Sequence, residues 1–124
     1  MTLLSSDIKQ ASTFLKEGKL VAIPTETVYG LAANIFDEEA VRGIFELKER
    51  PLFNPLIVHI NSLKQLHELS SDLPEKARQL ATAFWPGELT LVVKKKEIVP
   101  DLITAGKDTV AIRMPKHPLV RELL

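Results

Sequence analysis

Two cations and an amide lie close together on a segment bounded by prolines. Lys48, Arg50 and Asn54 occur in the sequence KERPLFNP, in which Pro51 and Pro55 restrict the backbone. Arg50 can form two parallel hydrogen bonds to phosphate or carboxylate oxygens, and Lys48 adds a mobile point charge. The segment therefore predicts an anion site, with phosphate as the leading candidate. The alternative is the basic end of a helix, which the helix dipole favours.

A second group of polar side chains follows a short apolar run. Residues 20–24 are predicted to form a buried strand, and a cluster of polar or small residues comes directly after it: Thr25, Glu26, Thr27, Tyr29 and Gly30. In open α/β sheets, ligands bind at the carboxyl ends of strands. This cluster is therefore a second candidate for ligand contacts. The alternative is that its threonine and glutamate cap the next helix.

These two clusters need elements that position them. A helix is predicted over roughly residues 38–48, with Asp37 as its cap and an apolar stripe that ends at Lys48. Residues 56–60 form the next predicted strand. Strand 20–24, the helix and strand 56–60 are then expected to make a right-handed crossover with parallel strands. Such a unit would place the two clusters on either side of one helix.

Alternation along two strands turns further polar side chains to one face. In strand 56–60, His59 faces opposite to its buried neighbours, and strand 109–113 presents Thr109 and Arg113 on one side. A charge on such a face needs an anionic partner, either a ligand or a structural carboxylate. The nearness of His59 to the cation cluster favours a ligand role, against the alternative of a satisfied core or edge histidine.

The remaining pattern predicts scaffold. A first helix ends at Gly18, Ser62 caps a short helix, and a further helix begins near Asp72, where Asp72 and Glu75 have the spacing of a capping box. The apolar stripe of that helix is predicted to be Ala77, Leu80, Ala81 and Phe84.

The segment after this helix is read in the same way. Trp85 is interpreted as a cover of the core, and residues 89–93 as a third strand. Residues 94–96, all lysine, are predicted to be a solvated strand end, with a basic patch for RNA as the alternative. Residues 98–103 are predicted to be irregular or an edge segment, and a turn follows at residues 105–107. His117 is expected to open a final helix.

Composition bounds the class of protein. The chain of 124 residues is expected to be one domain, residues 1–124, and 45% of them are hydrophobic, as in a soluble globular protein. Sixteen basic residues balance sixteen acidic ones, so no overall positive field attracts nucleic acid. Cysteine is absent, which excludes disulfides and thiolate chemistry. Neither a leader nor a membrane-spanning run is evident, and a cytoplasmic location without membrane contact is expected.

Familiar chemical motifs are missing. Neither GxxxxGK[ST] nor GxGxxG occurs, so a nucleotide would be held without a glycine cradle. No nucleophile elbow and no HExxH spacing occur, and no protein metal site is predicted.

Four segments carry a family resemblance. PTETVYGL, KERPLFNPLIVHI, FWPGELTLVV and TVAIRMPKHP follow one another in this order, and together they resemble the YrdC-like family of threonylcarbamoyl-adenylate synthases. The resemblance runs along nearly the whole chain. It implies an α/β fold, a twisted open sheet with parallel and mixed strands and flanking helices. The Ser-x-Asn segment of the family would follow the last residue here, so the domain is expected to be incomplete at its C-terminus.

The resemblance also implies a reaction and its residues. L-threonine, bicarbonate and ATP would give threonylcarbamoyl-adenylate and pyrophosphate, for threonylcarbamoyladenosine formation in tRNA. Position by position, Lys48, Arg50, Asn54 and Thr109 resemble the ATP-binding residues, with Lys48 and Arg50 stabilising charge in place of a nucleophile. Thr27, His59 and Arg113 resemble the threonine-binding residues. Mg²⁺ would accompany the ATP.

Other roles stay open at this point. The family fold is associated with double-stranded RNA, so an RNA-binding or tRNA-binding module is one alternative, and an inactive truncated member is another. An incomplete sheet exposes edge groups that pair readily with a second chain, which predicts a homodimer through that edge.

Overall fold

The structure, a computed structural model, describes residues 8–24, 29–47 and 55–117. Helices and strands alternate irregularly along these residues, which matches the predicted α/β class. In chain order they are α1 Ile8–Lys16, β1 Val21–Pro24, β2 Tyr29–Ala32, α2 Glu38–Leu47, β3 Ile57–His59, α3 Leu63–Leu69, α4 Glu75–Phe84, β4 Thr90–Lys94, α5 Asp101–Thr104 and β5 Thr109–Arg113.

Helix α1 ends where its glycine predicts. Gly18 has a φ of +81°, a conformation that glycine adopts without steric cost. The Gly18 N–H donates to Leu15 O at 3.1 Å and the Lys19 N–H to Phe14 O at 2.9 Å, which is the Schellman pattern. A Cβ at Gly18 would also collide with the Asp37 carboxylate. This glycine therefore both ends α1 and makes room for the residue that starts α2.

Helix α2 begins as predicted. The Asp37 carboxylate accepts a hydrogen bond from the Ala40 N–H at 3.1 Å, so it caps the first turn. Its buried face consists of Ala40, Val41, Ile44 and Phe45. The predicted continuation of the stripe to Lys48 lies outside the described residues.

The predicted parallel crossover is wrong. Strand β1 pairs antiparallel with β2, with Val21 opposite Ala32, and these two form a sheet of their own. Strand β3 belongs to a different, three-stranded sheet. The prediction failed because it overlooked residues 29–32 as a strand, and antiparallel pairing of neighbouring segments closes a much shorter loop than a crossover does.

The second sheet is mixed, with strand order β3-β5-β4. Strand β5 lies in the middle, parallel to β3 and antiparallel to β4. Its bounds are those predicted, whereas β4 lies one residue later than predicted. The sheet therefore joins residues that are more than 50 positions apart in the sequence, His59 and Arg113 among them.

The core covers one face of this sheet. Val58, Leu91, Val93, Val110 and Ile112 alternate inward and are each at most 8% exposed. They pack in one cluster with side chains from the helices and from the residues next to them: Val41, Phe45, Leu66, Leu69, Ala81, Trp85, Val99 and Ile103. Burying an aliphatic or aromatic side chain contributes roughly 1.5–3 kcal/mol. This face is therefore the main source of stability in the described residues.

Helix α3 has the predicted cap, but α4 does not. The Ser62 hydroxyl accepts from the Gln65 N–H at 3.3 Å. At α4 the cap position is Pro74, without a side-chain hydrogen bond, and Asp72 has a φ of +50°. Asp72 therefore lies outside the helix, and the predicted capping box is wrong because the chain turns sharply before Pro74. The pair Glu75 and Arg78 instead joins side chains within the first turn, and this hydrogen bond lowers the pKa of Glu75.

The buried face of α4 is narrower than predicted. Ala77 and Ala81 pack on the core, and Trp85 continues this line with 8% exposure, as predicted for a core cover. Leu80 and Phe84, predicted in the same stripe, are 36% and 59% exposed. The small alanines let α4 approach the core, so the larger neighbours on the adjacent line remain outside.

Residues 94–104 differ most from the prediction. The residues predicted as irregular contain α5, and Lys95 is not a solvated strand end, because its side chain is only 11% exposed. The Lys95 ammonium pairs with Asp101 at 3.0 Å and donates to Val99 O at 2.9 Å. Lys94 and Lys96 are exposed, as predicted. The turn predicted at residues 105–107 is confirmed, with positive φ at Ala105 and Gly106.

The outer edge of β4 is partly covered. The Ser71 N–H donates to Lys94 O at 2.7 Å, and the Lys96 N–H donates to Leu69 O at 2.9 Å. The segment after α3 therefore pairs with the end of β4, and less of that edge is open to a second chain than the sequence suggested. None of the described helices has the length and apolar character needed to cross a membrane.

Candidate functional site

The predicted site residues divide into two groups. Three of them belong to β3 and β5, namely His59, Thr109 and Arg113. The others lie outside the described residues: Thr27, Lys48, Arg50 and Asn54. The candidate site is therefore built here from the sheet, and the other predicted contacts stay predictions.

Strand pairing brings His59 and Arg113 together. They are direct partners in the parallel pair of β3 and β5. Adjacent strands lie about 4.8 Å apart, so the two side chains leave the sheet next to each other. Both point away from the core, because the residues before them, Val58 and Ile112, are buried on the opposite side. Alternation along each strand predicted these two directions, and the register of β3 with β5 adds that the cationic and the imidazole side chain lie side by side.

Thr109 lies on the same strand and the same face as Arg113. Four residues separate them, which corresponds to about 13 Å along a strand. Thr109 is paired with Lys94 on β4, and Arg113 with Thr90. Polar residues therefore occupy both ends of this face.

We call this side of the sheet the open face. It consists of the outward residues of the three strands: Ile57, His59, Thr90, Val92, Lys94, Thr109, Ala111 and Arg113. Between its polar ends runs an apolar row across the strands, with Ile57, Ala111 and Val92 in register. Ile57 and Val92 are 50% and 67% exposed. The face thus offers two polar ends and an apolar middle to a ligand.

The Arg113 side chain is held by a neighbouring loop. Its Nε–H donates to the backbone carbonyl of Gly87 at 3.2 Å. The Gly87 N–H in turn donates to Met114 O at 2.9 Å, so loop and strand are bonded in both directions. A backbone carbonyl leaves no side-chain signal, and only its place before a strand hinted at this contact.

Hydrogen bonds of Lys95 and Thr104 hold the residues that directly precede Thr109. The Lys95 N–H donates to Asp108 O at 2.9 Å, directly before β5. The buried Thr104 hydroxyl donates to Lys107 O at 2.9 Å and fixes the turn between α5 and β5. These bonds determine where Thr109 enters the sheet.

Helix α5 also bonds the residue that directly precedes β3. Residues 48–54 connect α2 to β3, and the Leu56 N–H, just after them, donates to Ile103 O at 2.9 Å. Ile103 itself is buried. Leu56 is therefore bonded to α5, the same helix that precedes Thr109.

The chemistry of the open face suits an anionic ligand with an apolar part. Arg113 is half-buried and can bind a carboxylate with two parallel hydrogen bonds, which is worth more where water is partly excluded. Among residues 8–24, 29–47 and 55–117, no three His, Asp or Glu side chains come together as a metal site. These residues therefore do not fit a site in which protein side chains alone would hold Mg²⁺.

The chain is similar to known proteins in both sequence and structure. The model of the family Sua5, YciO and YrdC, described as "Telomere recombination", matches residues 13–124. Threonylcarbamoyl-AMP synthase of Pyrococcus abyssi is 58% identical over 117 residues, and that of Bacillus subtilis is 52% identical over 118 residues. In each case the match covers 94% of this chain and 34% of the relative. The chain thus spans about a third of the length of these relatives.

A solved structure agrees with the fold. The crystal structure of P. abyssi Sua5 complexed with L-threonine superposes with a TM-score of 0.92 at 55% identity, covering 98% of this chain and 36% of that one. The YrdC-like resemblance drawn from the four segments is thereby confirmed, and so is the mixed α/β fold. With a family model that matches residues 13–124 and a solved relative that superposes with a TM-score of 0.92, the chain belongs to the Sua5/YciO/YrdC family.

Proposed function

We propose that this chain is the part of a threonylcarbamoyl-AMP synthase that binds L-threonine and ATP. The observation that carries the proposal is the register of β3 and β5, which sets His59 beside Arg113 and leaves Thr109 on the same open face. The names of the relatives and the threonine-bound P. abyssi structure support it.

The threonine end of the site lies at the end of β5. Arg113 neutralises the carboxylate of the amino acid through paired N–H donors, and His59 on the adjacent strand completes the contact. Thr27 is proposed as the third contact. The apolar row beside Arg113 lies where the methyl group of threonine can pack.

The nucleotide end of the site lies toward the start of β5. Thr109 donates or accepts one hydrogen bond, while Lys48, Arg50 and Asn54 bind the phosphates. Thr109 lies about 13 Å along the strand from Arg113, so the two ends of the open face can contact different parts of one extended ligand. Exposed Lys94, the partner of Thr109 in β4, adds positive charge at the same end.

The proposed reaction is a displacement at phosphorus. Threonine and bicarbonate first give N-carboxythreonine with loss of water. A carboxylate oxygen of this carbamate attacks the α-phosphorus of ATP, the bond from that phosphorus to the bridging oxygen breaks, and pyrophosphate leaves with the electron pair. The protein provides position and charge stabilisation, because both reactants are anions. No side chain needs to act as a nucleophile.

Mg²⁺ is proposed to arrive with ATP. Since the described residues do not form a protein metal site, the ion would be held mainly by phosphate oxygens and water. None of the contacts proposed above depends on it.

The product is proposed to serve threonylcarbamoyladenosine formation in the tRNA of the cytoplasm. A direct RNA-binding role has less support, because Lys95 of the lysine run is engaged with Asp101 and the net charge of the chain is zero. A homodimer through the sheet edge also stays a proposal, which a sedimentation measurement can test.

Calorimetry and a turnover assay together test the proposal. We expect the chain to bind L-threonine and ATP, and D-threonine serves as the control for specific recognition. Pyrophosphate release that needs both threonine and bicarbonate would establish synthesis by this chain. Binding of both substrates without release would limit its role to binding, whereas failure to bind threonine would reject the proposal.

A further inference from the structure

A backbone carbonyl of a neighbouring loop accepts the Nε–H of the arginine at the threonine end. The loop of residues 85–89, here called the Trp85 loop, connects α4 to β4. Its Gly87 carbonyl accepts the Nε–H of Arg113 at 3.2 Å. Because β4 begins immediately afterwards and Thr90 pairs with Arg113, the loop and the arginine are fixed to the same part of the sheet.

The loop itself is rigidly held. The Trp85 indole, 8% exposed, donates its Nε1–H to Leu89 O at 2.6 Å, and the Trp85 N–H donates to Ala81 O at 2.9 Å. The Gly87 N–H donates to Met114 O at 2.9 Å. Three hydrogen bonds thus place the Gly87 carbonyl between α4 and β5.

Position 87 has no room for a side chain. A Cβ there would lie 2.7 Å from the backbone carbonyl oxygen of Phe84, which belongs to α4 and cannot rotate away. Any other residue must shift residue 87 or unwind the last turn of α4. Either change would move the carbonyl that holds Arg113.

We propose that Gly87 is a positioning residue of the threonine site, and that its carbonyl fixes the Arg113 guanidinium so that the two terminal nitrogens face the carboxylate. A guanidinium binds a carboxylate either through Nε and one terminal nitrogen or through both terminal nitrogens. With Nε bonded to Gly87, the first geometry is excluded and the second is favoured. The loop would therefore select the direction from which the amino acid enters.

This inference rests on the proposed function, since it assigns a role within the threonine site. It makes a separable claim, because threonine could bind to Arg113 without help from Gly87. The experiment must therefore measure threonine binding, ATP binding and the state of the Arg113 Nε–H in the same variants.

The test compares two glycine-to-alanine substitutions in the full 124-residue chain. Gly87→Ala introduces the collision with Phe84 O, whereas Gly43→Ala lies within α2, where the nearest atoms to a Cβ belong to the Leu20 side chain at an ordinary contact distance of 3.5 Å. We expect Gly87→Ala to weaken threonine affinity about tenfold, the size expected for disturbing a hydrogen bond to a charged group. ATP affinity should stay within about twofold, and Gly43→Ala should change neither affinity.

Nitrogen-15 NMR of the arginine side chains supplies a readout at Arg113 itself, and the backbone N–H groups of the core in the same sample show any general destabilisation. The Nε–H signal of Arg113 is assigned as the one that disappears in Arg113→Lys. We expect this proton to exchange slowly with water in the unmodified chain and in Gly43→Ala, and to exchange quickly in Gly87→Ala.

The results distinguish failure of the proposed function from failure of this inference. If the unmodified chain does not bind threonine, the proposed function fails and this inference with it. If that chain binds threonine but Gly87→Ala binds it equally well, or if threonine and ATP affinities fall together while the Nε–H stays protected, the inference alone fails.

A second variant covers the case in which Gly87→Ala does not fold. Trp85→Phe keeps an aromatic ring in the core and removes the bond to Leu89 O. We expect about a twofold to threefold loss of threonine affinity and faster exchange of the Arg113 Nε–H, because the loop is then less firmly held. Unchanged affinity and exchange in Trp85→Phe would overturn the inference.

Discussion

The two faces of the sheet β3-β5-β4 come from the same three short strands, but they differ in almost every property. One face is apolar and each of its side chains is at most 8% exposed, whereas the open face carries His59, Thr109 and Arg113 and leaves Val92 67% exposed. Alternation in a strand makes this division automatic, since consecutive side chains leave on opposite sides. The comparison teaches that stability and the proposed ligand contacts depend on different residues of the same strand. A substitution can therefore change the free energy of unfolding without changing ligand affinity, or the reverse.

The largest effect is expected from the packed face. Ile112→Ala truncates a fully buried side chain in the middle of the core and should lower the free energy of unfolding by about 2–5 kcal/mol. Urea denaturation measures this loss. Val92→Ala on the open face is the control and should cost less than about 1 kcal/mol. Equal losses at the two positions would mean that the faces do not differ in packing.

The next effect is expected on binding and not on stability. Arg113→Ala removes the charge and the paired donors at the threonine end, and threonine affinity should fall by roughly 30-fold or more, about 2 kcal/mol. The free energy of unfolding should change less, by about 1 kcal/mol for the hydrogen bond to Gly87, because Arg113 lies outside the packed core. Calorimetry and urea denaturation of the same variant test both statements. Unchanged threonine affinity would remove Arg113 from the site.

A matched pair on β4 tests the division between neighbours. Val93→Thr places a hydroxyl in the core, where Val93 is 6% exposed, and should destabilise by roughly 1–3 kcal/mol. Val92→Thr makes the same change one residue earlier on the open face and should cost at most about 0.5 kcal/mol. Threonine and valine have similar β-strand propensities. The difference in stability between the two variants therefore reports the surroundings of the side chain and not its strand propensity. A large loss in Val92→Thr would show that this face is covered.

The smallest effect is expected at the nucleotide end. Thr109→Val keeps the shape of a half-buried side chain but removes its hydroxyl, and ATP affinity should fall by about fivefold, the equivalent of one hydrogen bond of ~1 kcal/mol. Threonine affinity, measured by the same calorimetry, should not change. A loss of threonine affinity in this variant would mean that the two ends of the open face are not separate.

Local patterns anticipated a good part of the fold. The caps at Asp37 and Ser62, the helix end at Gly18 and the bounds of β5 were all predicted, because each depends on a few neighbouring residues. The directions of His59 and Arg113 were predicted for the same reason, since alternation is a property of a single strand.

Partners distant in sequence were not predictable in this way. The predicted parallel pairing of β1 with β3 was wrong because nothing in an apolar run specifies which strand it pairs with. Residues 29–32 are nearer to β1 in the sequence, and they pair with it instead. Lys95 was predicted to be solvated because its partners, Asp101 and Val99, approach only when α5 folds back. The role of the Gly87 carbonyl was missed because a backbone group carries no residue-type signal.

The sequence alone determined which side chains share a face and where most helices begin and end, because these properties follow from the periodicity and chemistry of adjacent residues. Only the tertiary structure decided that His59 meets Arg113, that a loop carbonyl holds the guanidinium, and that one side of the sheet stays open. These depend on pairings between segments that are far apart in the chain. Such pairings are selected by the packing of the whole core, and no single stretch of residues encodes them.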